Sequence, residues 1–442
     1  MKRRGLIVLL VVVGAMVAWA IGLGGLAWYG AAVLTLLSVK ALLSWLHRPK
    51  RRAPGTPLPE NFRVGVAIPM YNEDPEIISA SLDSILRQTR LPQSVTVVDD
   101  GSSDTRALEA VRSWAPLFRD RGVELIVIAA KENKGKRHGL ITCLDAQPDT
   151  DLMLCVDSDT VLAVDALEQA LIPFSDDTVQ VVTGLVLALN HRKNLLTRLT
   201  DVRYTNAFLF ERAAYSSLNS VLCACGSLAV YRTELMQKYR DDFLGQTFLG
   251  KPAVFGDDRR MTNYGLLEGK ALLQESAVAE TAVPERWGHY ARQQIRWNKS
   301  FFRESLWVVR HMSMRKWAFW LTAIELLSWF VFSVAIVTAI IVAPILFGPG
   351  ILVSYAICTA LLSYIRAARY IDLSKHRRKR DRAIGFALSP LYGAMYIILL
   401  VWLRAYALAT LSSGTWGTRS KVEVELSGTP PVIREDVLVG AI

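Results

Sequence analysis

Cysteine is scarce in this chain, which has five cysteines among 442 residues. Their number is odd, and Cys223 and Cys225 lack the second ligand pair that a zinc site of this spacing requires. The scarcity therefore argues against a zinc site and predicts reduced thiols in a cytosolic environment.

Acidic residues are also in the minority, with 40 Asp and Glu against 51 Lys and Arg, so that the formal net charge is +11. The basic clusters flank long apolar stretches, which argues against nucleic-acid binding. This placement is typical of cytoplasmic loops in membrane proteins and predicts attraction to anionic lipid headgroups.

Charge is almost absent from two stretches near the N-terminus. Residues 5–21 carry none, and residues 23–45 carry only Lys40. Each stretch is long enough to cross a bilayer, and basic residues lie on the outer flank of each. We predict an N-terminal transmembrane hairpin over residues 1–50 with both ends in the cytoplasm. A signal peptide ending near Ala20 is the alternative, and the second apolar stretch argues against it.

Two further apolar stretches, 318–347 and 351–368, are separated by Gly348-Pro349-Gly350 and predict a second hairpin. The basic segment 375–382 should be cytoplasmic. Residues 384–411 are apolar but are interrupted by Pro390, Gly393 and Arg404, so they either cross once or lie partly in the interface.

These observations divide the chain after residue 300 into three parts. We expect an interfacial helix over 301–316, transmembrane and interfacial helices over 317–412, and a cytosolic tail over 413–442.

The middle of the chain, residues 51–300, has no apolar run of membrane length. Short runs rich in β-branched residues alternate there with helical patterns at 77–87 and 108–118. The predicted strands are 64–70, 95–98, 125–129 and 152–156. This alternation predicts an α/β domain with a parallel sheet and crossover helices.

Polar clusters follow all four predicted strands. They occupy residues 69–73, 99–104, 131–138 and 157–159. Ligands of open parallel sheets bind at the carboxyl ends of the strands, so these clusters should converge on one cleft. Asp157-x-Asp159 alone is a weak signal, often a solvated turn, but four convergent clusters predict a phosphate bound through a divalent metal.

The motifs VAIPMYNED (66–74), VVDDGSSD (97–104), VDSDT (156–160), FGDDRRMTN (255–263) and QQIRW (293–297) resemble those of processive, membrane-embedded family 2 glycosyltransferases, which have the GT-A (Rossmann-like) fold. Four further segments narrow the resemblance to class I hyaluronan synthases. They are DVRYTNAFLFERAAYS (201–216), RWNKSFFRE (296–304), SPLYG (389–393) and WGTR (416–419).

The resemblance implies roles for residues of the nucleotide-binding half. Asp100, with Asp99 beside it, should contact the uracil of a UDP-sugar. Lys136 and Arg137 should line the donor pocket.

The resemblance also implies the catalytic carboxylates. Asp157 and Asp159 should hold Mg²⁺ or Mn²⁺ and the UDP diphosphate. Asp258 should be the general base that takes a proton from the acceptor hydroxyl, with Asp257 supporting it.

The matching positions of the QQIRW motif are Gln293, Arg296 and Trp297, which should border the donor and the acceptor. Their spacing places them on one face of a helix. For Trp297 alone, an interfacial amphipathic helix is the plainer interpretation. Cys225 lies where the family builds its acceptor site, although a packing role is at least as plausible.

The activity implied is processive synthesis of hyaluronan from UDP-GlcNAc and UDP-GlcUA. Inverting transfer at the cytosolic face would be coupled to export of the nascent polysaccharide through the chain's own channel. Trp416 and Arg419 would gate the channel mouth. The expected form is a monomeric, multi-pass protein of the bacterial plasma membrane with its catalytic domain in the cytosol.

Other functions stay open at this point. Residues 223–228 also resemble chitin-oligosaccharide synthases, which use UDP-GlcNAc only. A capsule synthase with another sugar pair, and a transporter with an inactive nucleotide fold, are further alternatives.

Overall fold

The computed structural model describes residues 27–51 and 62–412. The stretch 5–21, Trp416 and Arg419 lie outside the described residues. The described chain divides into two units. The sheet unit comprises the described parts of Arg48–Asn190, Asn219–Gln293 and Leu411–Ile442. The helical unit comprises those of Met1–His47, His191–Leu218 and Gln294–Thr410.

The sheet unit is built around one mixed sheet of eight strands, with spatial order β3-β2-β1-β4-β7-β6-β10-β5. In chain order the strands are β1 (Val64–Met70), β2 (Ser94–Asp99), β3 (Glu124–Ala129), β4 (Leu152–Cys155), β5 (Thr160–Leu162), β6 (Val179–Ala188), β7 (Ala229–Arg232) and β10 (Lys270–Thr281), while β8 (Thr247–Phe248) and β9 (Lys251–Pro252) form a separate hairpin. Strands β1, β2 and β4 are buried throughout, and β1 and β4 carry no polar side chain, as is typical of strands that are covered on both faces.

The helices of the sheet unit lie between its strands along the chain, and those between β1 and β4 are crossover connections of parallel strands. The helices of the unit are Pro75–Leu86, Arg106–Ser113, Ala115–Asp120, Lys136–Asp145, Ala166–Leu171, Thr233–Lys238, Arg240–Leu244 and Asp257–Glu268. The first is capped by Asp74, whose side chain accepts hydrogen bonds from the amides of Glu76 and Ile77. A proline, Pro75, is its first residue.

The four predicted strands are present and mutually parallel. Met70 pairs with Asp99, and Asp99 pairs with Ala129, so the carboxyl ends of β1, β2 and β3 are level. Strand β4 pairs in parallel with β1. The polar segments after these strands therefore share one edge of the sheet, as the sequence predicts.

Two features of this unit differ from the sequence prediction. The sheet is not purely parallel, because β7 runs antiparallel to both β4 and β6, and β5 runs antiparallel to β10. The helical pattern at 108–118 also forms two helices, which meet at Trp114 beside Pro116.

The helical unit contains Ala27–Leu46, Leu195–Thr205, Ala213–Ser216, Trp317–Val337, Ala343–Phe347, Ile351–Arg366, Lys379–Ala387, Ser389–Met395 and Val401–Ala409. Three π-helical segments interrupt these helices: Asn206–Arg212, Thr338–Val342 and Tyr396–Leu400. The helix Trp287–His311 begins in residues of the sheet unit and continues into those of the helical unit. The interfacial helix predicted from residue 301 is thus the second half of a longer helix.

Three helical stretches in the described part of the chain are long and apolar enough to cross a membrane: Trp317–Phe347, Ile351–Asp372 and Ser389–Ala409. The first two correspond to the predicted second hairpin, with Gly348 in the left-handed region at φ +78° in the turn between them. The third lies within the apolar segment 384–411. Thr35–Leu46 is a shorter apolar helix.

Candidate active site

The segments after β1 and β2 are tied together by short polar contacts. The amide of Asn72 donates to Ser102 Oγ at 2.8 Å, and the amide of Ser103 donates to Asn72 Oδ1 at 3.0 Å. The hydroxyl of Ser102 in turn donates to the buried carboxylate of Asp99. Asp99 therefore shapes the turn that follows it.

Asp100 holds the basic loop that follows β3. Its two carboxylate oxygens accept hydrogen bonds from the amides of Lys134, at 2.9 Å, and Gly135, at 2.7 Å. Burial raises the pKa of Asp100 above the ordinary value, and these two hydrogen bonds oppose the shift. Gly135 has φ +91°, a conformation that glycine adopts without strain, and it leads into the helix Lys136–Asp145.

Lys136, the first residue of that helix, lies between two carboxylates. Its Nζ lies 2.5 Å from Asp157 Oδ1 and 3.8 Å from Asp258 Oδ1. Burial acts to lower the pKa of Lys136, but Asp157 and Asp258 outweigh burial and hold that pKa well above its ordinary value. The side chain is therefore a fixed positive charge between the ends of β4 and the helix Asp257–Glu268.

Asp157 and Asp159 follow β4 as predicted, and each has further contacts. Asp157 Oδ2 accepts a hydrogen bond from Ser227 Oγ at 2.9 Å, and Asp159 Oδ1 accepts one from Thr281 Oγ1 at 2.9 Å. The repulsion between the two carboxylates is thus relieved by Lys136 and by two hydroxyl donors.

The carboxylate oxygens of Asp157 and Asp159 are the donors that hard divalent cations prefer. No cluster of three or more His, Cys, Asp and Glu side chains with metal-binding geometry exists within the described ranges. Two protein carboxylates with the remaining positions left to water and phosphate oxygens fit the usual coordination of Mg²⁺. The donor set is therefore compatible with an ion that is held partly by a bound diphosphate.

Asp258 has the environment of a general base. Its side chain keeps 34% of its surface exposed, so a substrate hydroxyl can reach it. Burial by the surrounding protein raises its pKa, Lys136 opposes the shift, and Asp157 and Asp257 add to it. A raised pKa makes the carboxylate a stronger proton acceptor than an ordinary aspartate.

Arg137 and Asp257 form a buried ion pair behind Asp258. Arg137 Nε lies 2.5 Å from Asp257 Oδ1, and the two side chains are only 5% and 7% exposed. Asp257 is therefore turned away from solvent and held by the guanidinium group, whereas its neighbour Asp258 lies nearer the surface.

Two residues of this site were missed by the motif analysis: Gly226 and Ser227. A Cβ on Gly226 would lie 2.7 Å from Lys136 Nζ and 2.8 Å from Asp258 Oδ1, so any other residue here would force these two side chains to move. Ser227 donates to Asp157. Both belong to the segment 223–228 that the sequence analysis had singled out, and the close approach depends on a tertiary contact.

Cys225 lies in the same segment, with its Sγ 3.7 Å from Ser227 Oγ and its amide donating to Thr183 Oγ1 at 3.2 Å. None of the five cysteines, all of which lie in the described ranges, forms a disulfide.

Gln293, Arg296 and Trp297 all lie on the long helix Trp287–His311. Gln293 is the last residue of the sheet unit in this helix, while Arg296 and Trp297 belong to the helical unit. In the helical unit the guanidinium carbon of Arg203 lies 5.1 Å from the centre of the Trp297 ring, which stays 40% exposed. The exposed part of the Trp297 side chain is therefore available for contact with a ligand.

The helical unit also encloses a cavity of about 610 Å³. All three π-helical segments named above contribute residues to its lining, and such segments often occur at functional sites. Charged groups in the lining are paired: Lys40 with Glu325, and Arg366 with Glu211 at 2.5 Å. Arg404 donates to Asn298 Oδ1 at 2.9 Å.

Comparison with known proteins identifies relatives of this arrangement. Residues 59–300 match the family described as Glycosyltransferase like family 2. The hyaluronan synthase of Streptococcus pyogenes is 38% identical over 398 residues, which cover 90% of this chain and 91% of that protein. The N-acetylglucosaminyltransferase of Mesorhizobium japonicum is 33% identical over 394 residues, which cover 88% of each chain.

Among solved structures, a mannosyltransferase from Pyrobaculum calidifontis in complex with GDP-Man and Mn²⁺ superposes with a TM-score of 0.53. The alignment covers 91% of this chain and 99% of that one at 24% identity, which shows the shared GT-A fold. The family match, the fold and the identity over nearly the whole length agree. The chain therefore belongs to the family 2 glycosyltransferases and, within them, to the class I hyaluronan synthases.

Proposed function

We propose that this chain synthesises hyaluronan from UDP-GlcNAc and UDP-GlcUA by processive, inverting glycosyl transfer. Identity to a hyaluronan synthase over 90% of the chain supports the product. The observation that supports the proposed chemistry is the position of Lys136, whose Nζ lies 2.5 Å from Asp157 Oδ1 and 3.8 Å from Asp258 Oδ1. We assign the first carboxylate to the donor side and the second to the general base.

Asp258 is the general base of the proposed reaction. It takes the proton from the acceptor hydroxyl as that oxygen bonds to the anomeric carbon of the donor sugar. The bond from that carbon to the UDP oxygen breaks on the opposite side, so the configuration inverts. A sugar hydroxyl is a poor nucleophile until a positioned carboxylate accepts its proton, which typically contributes about 10²–10⁴-fold.

The donor side of the site stabilises the leaving UDP. Asp157 and Asp159 would hold Mg²⁺ or Mn²⁺, which would neutralise negative charge on the diphosphate. Lys136 supplies a second positive charge beside Asp157. Asp99 and Asp100 shape the turn and the loop on which we propose that the uracil binds.

The acceptor side is assigned to Gln293, Arg296, Trp297 and Cys225. Trp297 would contact the terminal sugar with the exposed part of its side chain, and Gln293 and Arg296 would hydrogen-bond to donor and acceptor. Cys225 would border the acceptor near Ser227.

We further propose that the nascent polysaccharide leaves through the cavity of the helical unit. Basic and amide side chains, among them Arg404 and Asn298, lie among the apolar residues that form most of its lining and would contact the polymer. The protein would be a monomer in the bacterial cytoplasmic membrane, in contact with anionic lipid, with its catalytic unit in the cytosol. Trp416 and Arg419 would gate the cytosolic mouth of the channel.

The test uses the full chain, purified in lipid with Mg²⁺ or Mn²⁺. UDP-GlcNAc and UDP-GlcUA are supplied singly and together, and UDP release and product size are measured. If the chain makes hyaluronan, a long polymer should form only when both donors are present, and hyaluronidase should digest that polymer. The Asp258→Asn variant should release no UDP above background. Transport by a protein with an inactive nucleotide fold would not depend on Asp258.

The relatives named as N-acetylglucosaminyltransferases support a second candidate, a chitin-type synthase. A product made from UDP-GlcNAc alone, resistant to hyaluronidase and cut by chitinase, would establish that candidate and overturn hyaluronan synthesis.

A further inference from the structure

Arg137 is engaged by a single short segment of the chain. Its Nε donates to Asp257 Oδ1 at 2.5 Å, Nη1 donates to the carbonyl of Ala253 at 2.6 Å, and Nη2 donates to the carbonyl of Phe255 at 3.1 Å. All three acceptors lie within residues 253–257, immediately before and at the start of the helix that carries Asp258. The Arg137 side chain is only 5% exposed, so its donors are satisfied by these contacts and not by solvent.

The geometry of this contact is that of a clamp. A guanidinium is planar and presents its donors in a rigid fork, so three bonds to one segment restrict both its position and its orientation. The group also lies over the ring of Phe243, with its central carbon 5.5 Å from the ring centre. The clamped segment contains Gly256 at φ +104°, a backbone conformation that few residues adopt without strain.

The residues that precede Arg137 contact Asp100. Arg137 is the second residue of its helix, and the residues before it, Lys134 and Gly135, donate their amides to the carboxylate of Asp100. One loop therefore joins Asp100 at one end to the segment of the general base at the other.

We propose that Arg137 is a positioning residue, which fixes the segment 253–257 and thereby holds Asp258 at the distance and angle that proton transfer requires. This proposal rests on the proposed function, since it takes Asp258 as the base. It differs from the family expectation that Arg137 lines the donor pocket, because its three donors are directed at the segment of the base.

The test compares Arg137→Lys and Arg137→Gln with wild type in purified full-length enzyme. Both variants should lower kcat by about 100-fold, since a displacement of about 1 Å in a catalytic group has that effect. The KM for each UDP-sugar and the affinity for UDP should stay close to wild type. Lysine should not rescue activity, because an ammonium group cannot make three bonds in one plane.

The matched control is Arg240→Lys. Arg240 pairs with Asp145 at the far end of the same helix, with Nη2 2.7 Å from Asp145 Oδ2, and it is 42% exposed. This change should leave kcat and KM unaltered. To separate misplacement of the base from unfolding, kcat is expressed per molecule that binds UDP. Asp257→Asn provides a second variant that keeps the volume of the buried pair. It should lower kcat without changing the donor KM.

Three outcomes would overturn the proposal. An unchanged kcat would show that the clamp does not position the base. A raised donor KM with unchanged kcat would make Arg137 a donor-binding residue, and an equal loss in Arg240→Lys would point to general weakening of the helix. If wild type made polymer from UDP-GlcNAc alone, hyaluronan synthesis would fail, but the same comparison could be measured with that donor.

Discussion

The ammonium group of Lys136 lies 2.5 Å from Oδ1 of Asp157. Lys136 is the first residue of a helix, and Asp157 lies two residues after the buried strand β4. The same Nζ lies 3.8 Å from Asp258 Oδ1. This one cation therefore balances a carboxylate on each side of the site, and its loss should affect donor and acceptor chemistry together.

Replacing Lys136 with Met should lower kcat by about 10²–10³-fold, because a fixed positive charge facing the leaving group would be lost. The pKa of Asp258 should also rise further, since Lys136 now opposes that rise. Steady-state kinetics over a range of pH checks both effects. Lys238→Met, which removes an exposed ammonium 2.7 Å from Glu268, should leave kcat unchanged. Equal activity of the two variants would contradict the role of Lys136.

The pH dependence of kcat should report Asp258. The base must be deprotonated to act, and burial raises its pKa above the ordinary aspartate value of 3.8. Activity should therefore be full at higher pH and fall as pH drops through this raised pKa, earlier than for an unperturbed aspartate. A pH–rate profile measured at saturating donor tests this. An acid limb at or below 3.8 would show that Asp258 is not the titrating base.

Replacing Gly226 with Ala should lower kcat strongly without unfolding the protein. The added Cβ would lie 2.7 Å from Lys136 Nζ and 2.8 Å from Asp258 Oδ1, and both are ends of side chains that can move aside. The fold should therefore survive, while the displaced base costs about 100-fold in kcat.

The matched control for Gly226 is Gly288→Ala, whose Cβ would meet only Arg292 Nη1 at 3.7 Å, an ordinary contact. Thermal unfolding and UDP release are measured on both variants. Full activity of Gly226→Ala would show that the site tolerates a methyl group between Lys136 and Asp258.

Asp201 should stabilise the helical unit rather than take part in catalysis. It is fully buried, and its carboxylate accepts hydrogen bonds from the hydroxyl of Tyr370 and from Arg377 Nη2, the latter at 2.9 Å. Removing one partner of a buried ion pair costs about 3–5 kcal/mol, so Asp201→Asn should lower the unfolding temperature markedly. Asp145→Asn, which removes an exposed partner of Arg240, should leave the unfolding temperature close to that of wild type, because exposed ion pairs add little stability.

The pH dependence of stability should report the buried carboxylate of Asp201. Burial alone would raise the pKa of Asp201, but Arg377 and His191 lower it below the ordinary value of 3.8. A carboxyl group with a lowered pKa in the folded state contributes stability that is complete above 3.8 and is lost as pH falls through the folded pKa. Wild type should therefore lose stability below about pH 4, and Asp201→Asn should lose less of it there. Identical acid unfolding of both proteins would contradict this.

The local pattern of the sequence was sufficient for the first half of the sheet unit. Strands β1 to β4 are short segments rich in apolar residues and bounded by turn-forming residues. The spacing of apolar residues is a local property, so it predicts such elements without knowledge of the fold. Because parallel strands expose their carboxyl ends at one edge, the sequence alone also predicted that Asp100, Lys136 and Asp157 would lie near one another. The two long apolar stretches after residue 317 were predictable for the same reason, since length and hydropathy are local properties.

The second half of the sheet depended on tertiary structure. Strand β7 is four residues long and runs antiparallel between β4 and β6, and no local pattern states which strands a short apolar run pairs with. The site depends on the same kind of contact. Arg137 and Asp257 are 120 positions apart, and Gly226 approaches Asp258 only because β7 brings its preceding loop to the end of β4. Residue types determined which chemistry is available, whereas the path of the chain decided which carboxylate is buried against Arg137, which one stays partly exposed, and where an added Cβ would displace its neighbours.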